Sequence, residues 1–207
     1  MEQFSNYIWD FDGNIFNSYP HTTRAMLKMC AEYGIEARES EVNKALRKSF
    51  AAAFALLNLS EEQIARFDAI MRDREMEPVT VPFPQTFEVL TTLSERGAKH
   101  YLYTHSDESM SVWYLKKYGM YDLFEECVTS EYGFPFKPSP DAINYIVGKY
   151  SLDRNDTVMV GDREIDVMSG INAGVKTCLF DKDYLVEQTR ADYRVDELLQ
   201  IIKIEEN

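Results

Sequence analysis

Two aspartates near the N-terminus, Asp10 and Asp12, have a spacing that suits chemistry. They follow an apolar segment at residues 7–9 that predicts a buried strand, and Gly13 comes directly after them. Because strand side chains alternate between faces, carboxylates at i and i+2 point the same way. Two such anions repel unless a cation neutralises them or one holds a proton. The pair therefore indicates metal binding or proton transfer, and the alternative is a strand that runs into a simple Asp-Gly turn.

Other polar residues follow later apolar segments in the same manner. Thr104 and Asp162 come after two such segments, Asp166 follows Asp162 by four positions, and Lys137 lies in a Pro-rich loop. In open parallel sheets, ligands bind beyond the carboxyl ends of the strands. Carboxylates suit Mg²⁺, whereas a lysine and a hydroxyl suit phosphoryl oxygens. Taken singly, each residue can be explained without a functional site, as part of a strand end, a turn or a solvated loop. Their recurrence at several strand ends favours a common site.

The elements that must position these residues alternate along the chain. Strands are predicted at residues 7–9, 99–103, 127–129, 156–160 and 176–180, and helices at 85–96, 107–118, 139–150, 164–172 and 195–204. Strands that alternate with helices form βαβ units with a parallel sheet. The sequence therefore predicts an α/β fold with a Rossmann-like parallel-sheet core.

The segment between the first strand and residue 81 has a different pattern. An apolar stripe at helical spacing ends at Gly34, a second helix is predicted over residues 39–57, and Ser60 to Gln63 form a capping-box pattern that opens a third. We therefore expect two domains: a core formed by residues 1–16 and 81–207, and an inserted all-helical cap domain formed by residues 17–80.

Composition narrows the class of protein. The 207 residues are 45% hydrophobic, contain three scattered cysteines and carry a net charge of −13. The cysteines predict reduced thiols, and the acidic balance disfavours a nucleic-acid partner. No segment approaches the roughly 20 apolar residues of a membrane helix. We expect a soluble cytoplasmic protein, a monomer or small homo-oligomer, with no membrane or nucleic-acid partner.

The polar motifs, taken together and in order, resemble those of a known family. They comprise Asp10-Phe11-Asp12-Gly13-Asn14, Thr104, Lys137-Pro138-Ser139-Pro140 and Gly161-Asp162-Arg163-Glu164-Ile165-Asp166. This order resembles the four motifs of the haloacid dehalogenase superfamily of phosphohydrolases. The helical insert is similar to the small cap of the branch that contains phosphoglycolate phosphatase and beta-phosphoglucomutase. The resemblance covers nearly the whole chain.

The resemblance implies a role for each matching residue. Asp10 would be the nucleophile that forms an aspartyl-phosphate, and Asp12 the general acid and base. Thr104 and Lys137 would bind the phosphoryl oxygens. The Mg²⁺ ligands it implies are Asp10, the main-chain carbonyl of Asp12, and Asp162, with Asp166 in support.

The residue at position 12 distinguishes the branches of this family. The dehalogenase branch lacks a second acid at this position, because a halide leaves without a proton. Asp12 therefore favours a phosphate ester as the substrate.

Three other residues depart from the family pattern. Asn14 replaces the usual Thr, Asn17 replaces a common Asp, and His105 stands where Asn is frequent. His105 is expected near the bound phosphate, and capping of the next helix is the alternative. The sequence assigns no role to Asn14 or Asn17.

Basic residues of the insert are candidates for contact with the substrate. Arg47 and Lys48 form its densest basic pair, and His21 and Arg24 follow the first motif closely. A cap of this kind closes over the site mouth and excludes water. The alternative for the Arg47–Lys48 pair is a solvated helix face.

These observations predict a Mg²⁺-dependent phosphatase that acts on a small phosphorylated metabolite. Two alternatives stay open at this point. A phosphomutase of the same fold would return the phosphoryl group to a sugar, and a catalytically idle member would serve as a binding or regulatory protein.

Overall fold

The strand that precedes Asp10 lies inside a six-stranded parallel sheet. The computed structural model describes residues 4–204. The strands of this sheet are β1 (Asn6–Trp9), β4 (Lys99–Tyr103), β5 (Phe124–Val128), β6 (Thr157–Gly161), β7 (Lys176–Phe180) and β8 (Tyr193–Val195), in the order β5-β4-β1-β6-β7-β8. Two short strands, β2 (Phe16–Asn17) and β3 (Val81–Pro82), pair with each other. The sheet confirms the predicted α/β class.

Eight α-helices connect or precede these strands in the described residues. They are α1 (Tyr19–Glu32), α2 (Glu39–Lys48), α3 (Phe50–Leu57), α4 (Glu61–Met71), α5 (Thr86–Glu95), α6 (Ser111–Lys117), α7 (Asp141–Tyr150) and α8 (Glu164–Ala173). Helices α5, α7 and α8 pack against the sheet, with α8 against both β6 and β7. None of the described helices is long and apolar enough to cross a membrane.

Strand β1 lies in the interior of the sheet, and all four of its residues are buried. It pairs in parallel with β4 and with β6, and Tyr7, Ile8 and Trp9 are at most 1% exposed. The Trp9 indole Nε1–H donates to Nδ1 of buried His100 at 3.0 Å, and Nε2 of His100 lies 3.0 Å from the carbonyl oxygen of Leu90. This chain of hydrogen bonds ties β1 to β4 and to α5 beneath the site.

The chain divides into two compact units. A sheet unit comprises Met1–Ile15 and Pro82–Asn207, and a helical unit comprises Phe16–Val81. The ranges expected from the sequence differ from these by one residue at each junction. In the helical unit, α1 to α4 enclose an apolar cluster that includes Met26, Met29, Leu46 and Phe67.

The helical unit differs from the sequence prediction at Ser49. The single helix expected over residues 39–57 is two helices, because Ser49 has an extended backbone with φ −174° and caps α3. Its Oγ accepts a hydrogen bond from the main-chain N–H of Ala52 at 2.9 Å. The capping box of Ser60 and Gln63 is present as predicted.

The sheet unit differs from the prediction chiefly at two helices and two strands. Strand β5 begins at Phe124, three residues before the strand expected over 127–129. Residues 193–195 form the edge strand β8, and a 3₁₀ helix over Leu198–Lys203 replaces the α-helix expected over 195–204. The helix expected from residue 107 begins at Ser111, because the Asp107 side chain first accepts bonds from Ser109 and Met110. None of these differences moves a strand that carries a site residue.

Candidate active site

Three strands deliver polar residues to one edge of the sheet. Asp10, Thr104 and Asp162 directly follow β1, β4 and β6, and β1 lies between the other two strands. The chain passes from β1 to β4 on one side and reaches β6 on the other, which makes this edge a topological switch point. Open α/β sheets bind their ligands at such points.

An acidic cluster forms at this edge from Asp10, Asp162 and Asp166. Each offers one carboxylate oxygen, and these oxygens lie within 4.8 Å of one another. Asp166 comes from the first turn of α8 and reaches the cluster across Gly161. A Cβ at Gly161 would lie 2.2 Å from Cβ of Asp166, so only glycine permits this approach.

Lys137 lies among the carboxylates. Its Nζ is 2.6 Å from Oδ1 of Asp10, 2.9 Å from Oδ1 of Asp166 and 3.0 Å from the carbonyl oxygen of Tyr103. Burial by itself would lower the pKa of the Lys137 ammonium, but the facing carboxylates of Asp10 and Asp166 raise it to about 12. The ammonium is therefore a fixed cation at neutral pH.

The two buried carboxylates beside Lys137 differ in basicity. Burial raises the pKa of Asp10 to about 6, although the Lys137 ammonium opposes the shift. For Asp166 burial acts in the same direction, but Lys137 and Arg163 outweigh it and lower the pKa. Asp10 is thus the more basic of the two carboxylates.

One carboxylate oxygen of Asp10, Oδ2, has no hydrogen-bond partner among the described residues. This oxygen is buried, and Nη2 of Arg163 lies 3.9 Å from it. A buried anionic oxygen without a partner is unfavourable. A hard divalent cation prefers such carboxylate oxygens, so the donor set fits Mg²⁺.

Asp12 is not one of the three clustered carboxylates, and its side chain contacts Ser106. The Ser106 hydroxyl donates to Oδ2 of Asp12 at 2.7 Å, and the Ser106 main-chain N–H donates to Oγ1 of Thr104 at 3.0 Å. Asp12 is half-buried, whereas Thr104 is 2% exposed. In the bond from the Ser106 main-chain N–H, Oγ1 of Thr104 is the acceptor. The hydroxyl proton of Thr104 is therefore available to another acceptor.

His105 lies beside the lysine loop. Its Nε2 accepts a hydrogen bond from the main-chain N–H of Lys137 at 2.8 Å, and its ring lies 4.6 Å from that of Phe136. Burial, together with the Lys137 charge, lowers the pKa of His105 to about 3. The imidazole is neutral with its proton on Nδ1. The phosphate contact expected of His105 stays a prediction, and Nε2 is already engaged within the protein.

The basic residues proposed as substrate contacts have different environments within the helical unit. His21 is 1% exposed, and its ring nitrogens lie 2.8–3.3 Å from the carbonyl oxygens of Met71, Met76 and Pro78. This corrects the expectation of a substrate contact, because His21 fastens α1 to the segment after α4 and has no ring nitrogen to spare.

The remaining three residues of this set are more accessible. Arg24 and Lys48 are exposed, and Arg47 is half-buried with its guanidinium 4.7 Å from the centre of the Tyr19 ring. Arg47 Nε also donates to Oδ1 of Asn43 at 3.1 Å. Contact of these three residues with the substrate stays a prediction.

Two departures from the family pattern lie in different settings. Asn14 is 0% exposed, and its side-chain amide has no hydrogen-bond partner among residues 4–204. Asn17 is half-buried in β2. Nothing in the structure assigns a role to either side chain.

Sequence reasoning overlooked two side chains of the site, Ser106 and Arg163. Ser106 follows Thr104 by two positions, a spacing that could have marked it as facing the same way. Arg163 was visible only as the residue between Asp162 and the start of α8. Its guanidinium lies 3.6–3.9 Å from oxygens of all three clustered carboxylates.

The fold and site define a Rossmann-like α/β protein with an acidic, lysine-containing site at the switch point of its sheet. The chain belongs to the haloacid dehalogenase-like hydrolase family, whose sequence model matches residues 7–180. This confirms the family that the motifs indicated.

Relatives of known name align along nearly the full length. Pyrophosphatase PpaX from Halalkalibacterium halodurans is 24% identical, with 98% of each chain covered. Phosphoglycolate phosphatase from Pasteurella multocida is 24% identical, with 99% of each covered. The solved structure of a predicted phosphoglycolate phosphatase from Haemophilus somnus superposes with a TM-score of 0.84 at 20% identity and 98% coverage of each chain, which supports the fold.

Proposed function

We propose that this protein is a Mg²⁺-dependent phosphatase that hydrolyses a small phosphate monoester through an aspartyl-phosphate. The observation that carries the proposal is the environment of Asp10. It is a buried carboxylate with Lys137 at 2.6 Å on one oxygen, no hydrogen-bond donor among residues 4–204 on the other, and a raised pKa. That combination suits a nucleophile beside a cation-binding position.

The first step is an in-line displacement at phosphorus. A carboxylate oxygen of Asp10 forms a bond to phosphorus as the bond from phosphorus to the ester oxygen breaks. Lys137 and the Thr104 hydroxyl offset the charge on the phosphoryl oxygens, which is the main contribution that proteins make to this reaction. Lys137 is suited to the task because carboxylates and a carbonyl hold its ammonium in place.

Asp12 supplies and recovers the proton. Its carboxylic acid protonates the departing alkoxide, and its carboxylate then takes a proton from the water that attacks the aspartyl-phosphate. Cleavage of that intermediate releases inorganic phosphate and restores Asp10. The hydrogen bond from Ser106 to Oδ2 fixes the direction of the Asp12 side chain.

The residues that would hold Mg²⁺ are Asp10, Asp162 and Asp166, together with the main-chain carbonyl of Asp12. When bound there, the ion would neutralise the clustered carboxylates and withdraw charge from a phosphoryl oxygen. The unpartnered Oδ2 of Asp10 supports this assignment.

The relatives suggest two substrate classes. Phosphoglycolate represents small phosphate monoesters, and inorganic pyrophosphate is favoured by the relatives called pyrophosphatase PpaX. Both reactions need the same nucleophile and the same cations. They differ in the leaving group, since pyrophosphate releases an anion that needs little help from Asp12.

The test is hydrolysis of an aryl phosphate, phosphoglycolate, a sugar phosphate and pyrophosphate, with Mg²⁺, with chelator, and with Asp10→Asn. We expect turnover that chelator and Asp10→Asn each abolish. Turnover that persists in Asp10→Asn would remove the nucleophile assignment. Transfer of the phosphoryl group to a sugar instead of water would favour a mutase, and Mg²⁺ binding without any turnover would favour an idle binding protein.

A further inference from the structure

The guanidinium of Arg163 lies among the three clustered carboxylates. Its Nη2 is 3.9 Å from Oδ2 of Asp10, and its Nε is 3.6 Å from Oδ1 of Asp162 and 3.8 Å from Oδ2 of Asp166. The Arg163 side chain is 19% exposed, so water screens these attractions only in part.

Arg163 and Lys137 neutralise the cluster in different ways. Lys137 lies 2.6–3.0 Å from its three oxygen partners and is fully buried, which fixes its position. The three ion pairs of Arg163 are about 1 Å longer than charge-assisted hydrogen bonds. The Arg163 main-chain N–H donates to Oδ2 of Asp166 at 3.0 Å, which is closer than any of the three ion pairs of the guanidinium with the cluster. Of the two cations, Arg163 is the one that can yield its place beside the carboxylates.

We propose that Arg163 is a built-in counter-cation that competes with the divalent metal and thereby sets the metal affinity of the site. This inference rests on the proposed Mg²⁺ site. The Asp10 oxygen that the guanidinium approaches, Oδ2 at 3.9 Å, is the one with no hydrogen bond among the described residues, and the guanidinium also lies beside the two other candidate metal ligands, Asp162 and Asp166. In the metal-free protein Arg163 reduces the repulsion between the carboxylates, and in the loaded protein it repels the ion.

Competition makes a prediction that a purely structural role does not. Loss of the Arg163 charge should strengthen metal binding and, at the same time, lower the stability of the metal-free protein. A residue that merely supports the fold of the site would weaken both when replaced. The two effects of opposite sign are therefore the signature to measure.

The experiment is calorimetric titration of Mg²⁺ into the full-length wild type, Arg163→Gln and Arg163→Lys, with thermal unfolding of each in chelator. Arg38→Gln is the control, because Arg38 directly precedes α2 with a side chain that is 82% exposed, and its loss changes the net charge equally. We expect Arg163→Gln to bind Mg²⁺ about tenfold more tightly. Arg163→Lys and Arg38→Gln should stay within about twofold to threefold of the wild type. Metal-free Arg163→Gln should unfold at a lower temperature.

Unchanged or weaker Mg²⁺ binding by folded Arg163→Gln would overturn the inference and leave the proposed phosphatase standing. If Arg163→Gln does not fold without metal, Arg163→Met keeps the aliphatic stem and is titrated in its place, with the same expected direction. Absence of Mg²⁺ binding in the wild type and in all variants would remove the proposed metal site, and the inference with it.

Discussion

His105 accepts a hydrogen bond through Nε2 from the main-chain N–H of Lys137 at 2.8 Å. One side chain at the end of β4 thus positions the backbone of the loop that carries the site lysine. The His105 ring stands where the family pattern frequently has an asparagine, and its acceptor nitrogen Nε2 bonds to the protein backbone.

We therefore expect His105→Phe, which keeps the ring volume and loses the acceptor, to lower kcat/KM by about tenfold, the effect of one lost hydrogen bond. His105→Asn should recover part of the loss. Because the pKa of His105 is about 3, the pH–rate profile above pH 5 should keep its shape in both variants. Steady-state kinetics over pH 5–8 provide the measurement, and a profile that changes near pH 6.5 would contradict the neutral role.

The bond from Ser106 to Asp12 predicts a dependence on the leaving group. Ser106→Ala removes the donor that orients the Asp12 carboxyl. An alkyl phosphate, which needs protonation, should lose about tenfold in kcat, and an activated aryl phosphate should lose much less. Ser109→Ala is the control, since Ser109 lies in the same loop and bonds to Asp107. Equal losses for both substrates would argue against an orienting role.

Asp10→Asn should abolish activity and stabilise the metal-free protein. The pKa of Asp10 is raised from 3.8 to about 6, so its ionised form disfavours the folded state above pH 6 by up to about 3 kcal/mol. Below pH 3.8 Asp10 is protonated in both states, and this difference vanishes. Urea unfolding in chelator at pH 7.5 and pH 4 measures the change. Asp12→Asn, which alters a half-buried carboxyl, provides the comparison, and a destabilised Asp10→Asn at pH 7.5 would refute the argument.

Gly161→Ala should disrupt the acidic cluster directly. The added Cβ would lie 2.2 Å from Cβ of Asp166, and Asp166 must shift. We expect at least a hundredfold loss of activity and weaker stabilisation by Mg²⁺. Gly170→Ala in α8 is the matched control, because its Cβ would lie 2.5 Å from the Thr177 side chain and not against a residue of the cluster. Gly170→Ala should lower the unfolding temperature and keep the metal response, and equal metal responses in both variants would contradict the prediction.

His100 predicts a loss of stability at mildly acidic pH. Burial lowers its pKa from 6.5 to about 4, so the unfolded chain binds the proton first as pH falls. Stability should be full above pH 6.5 and decrease by about 1.4 kcal/mol per pH unit down to pH 4. His100→Gln should remove this part of the slope, and the contribution of His105 cancels in the difference. Urea unfolding at several pH values measures it, and identical slopes in both proteins would count against the prediction.

The polar residues at the strand ends could be predicted because two simple patterns determine them. Apolar segments mark β1, β4 and β6, and parallel strands bring their carboxyl ends to one edge, so Asp10, Thr104 and Asp162 meet there. Sequence spacing alone does not determine side-chain direction. The bonds from Ser106 to Asp12 and from Lys137 to His105, and the position of Arg163, depend on rotamers and loop geometry that no periodicity encodes.

The differences in secondary structure have local causes. The break at Ser49 depends on a serine that competes for backbone N–H groups within an otherwise continuous helical pattern. Strand β8 has only three residues and too short a pattern to recognise. The burial of His21 among carbonyl oxygens depends on the end of α4 and the segment after it, which lie some 50 residues along the chain.

The central position of β1 has a consequence for biosynthesis. Asn6 to Trp9 leave the ribosome well before their partners in β4 and β6, which begin at Lys99 and Thr157. At about 5–20 residues per second, strand β1 waits roughly 8–30 s for its second partner. The helical unit is one contiguous segment of local contacts and can fold during that interval. Of the sheet strands that the structure describes, the nascent chain thus exposes buried β1 longest, which makes β1 the expected point of chaperone contact.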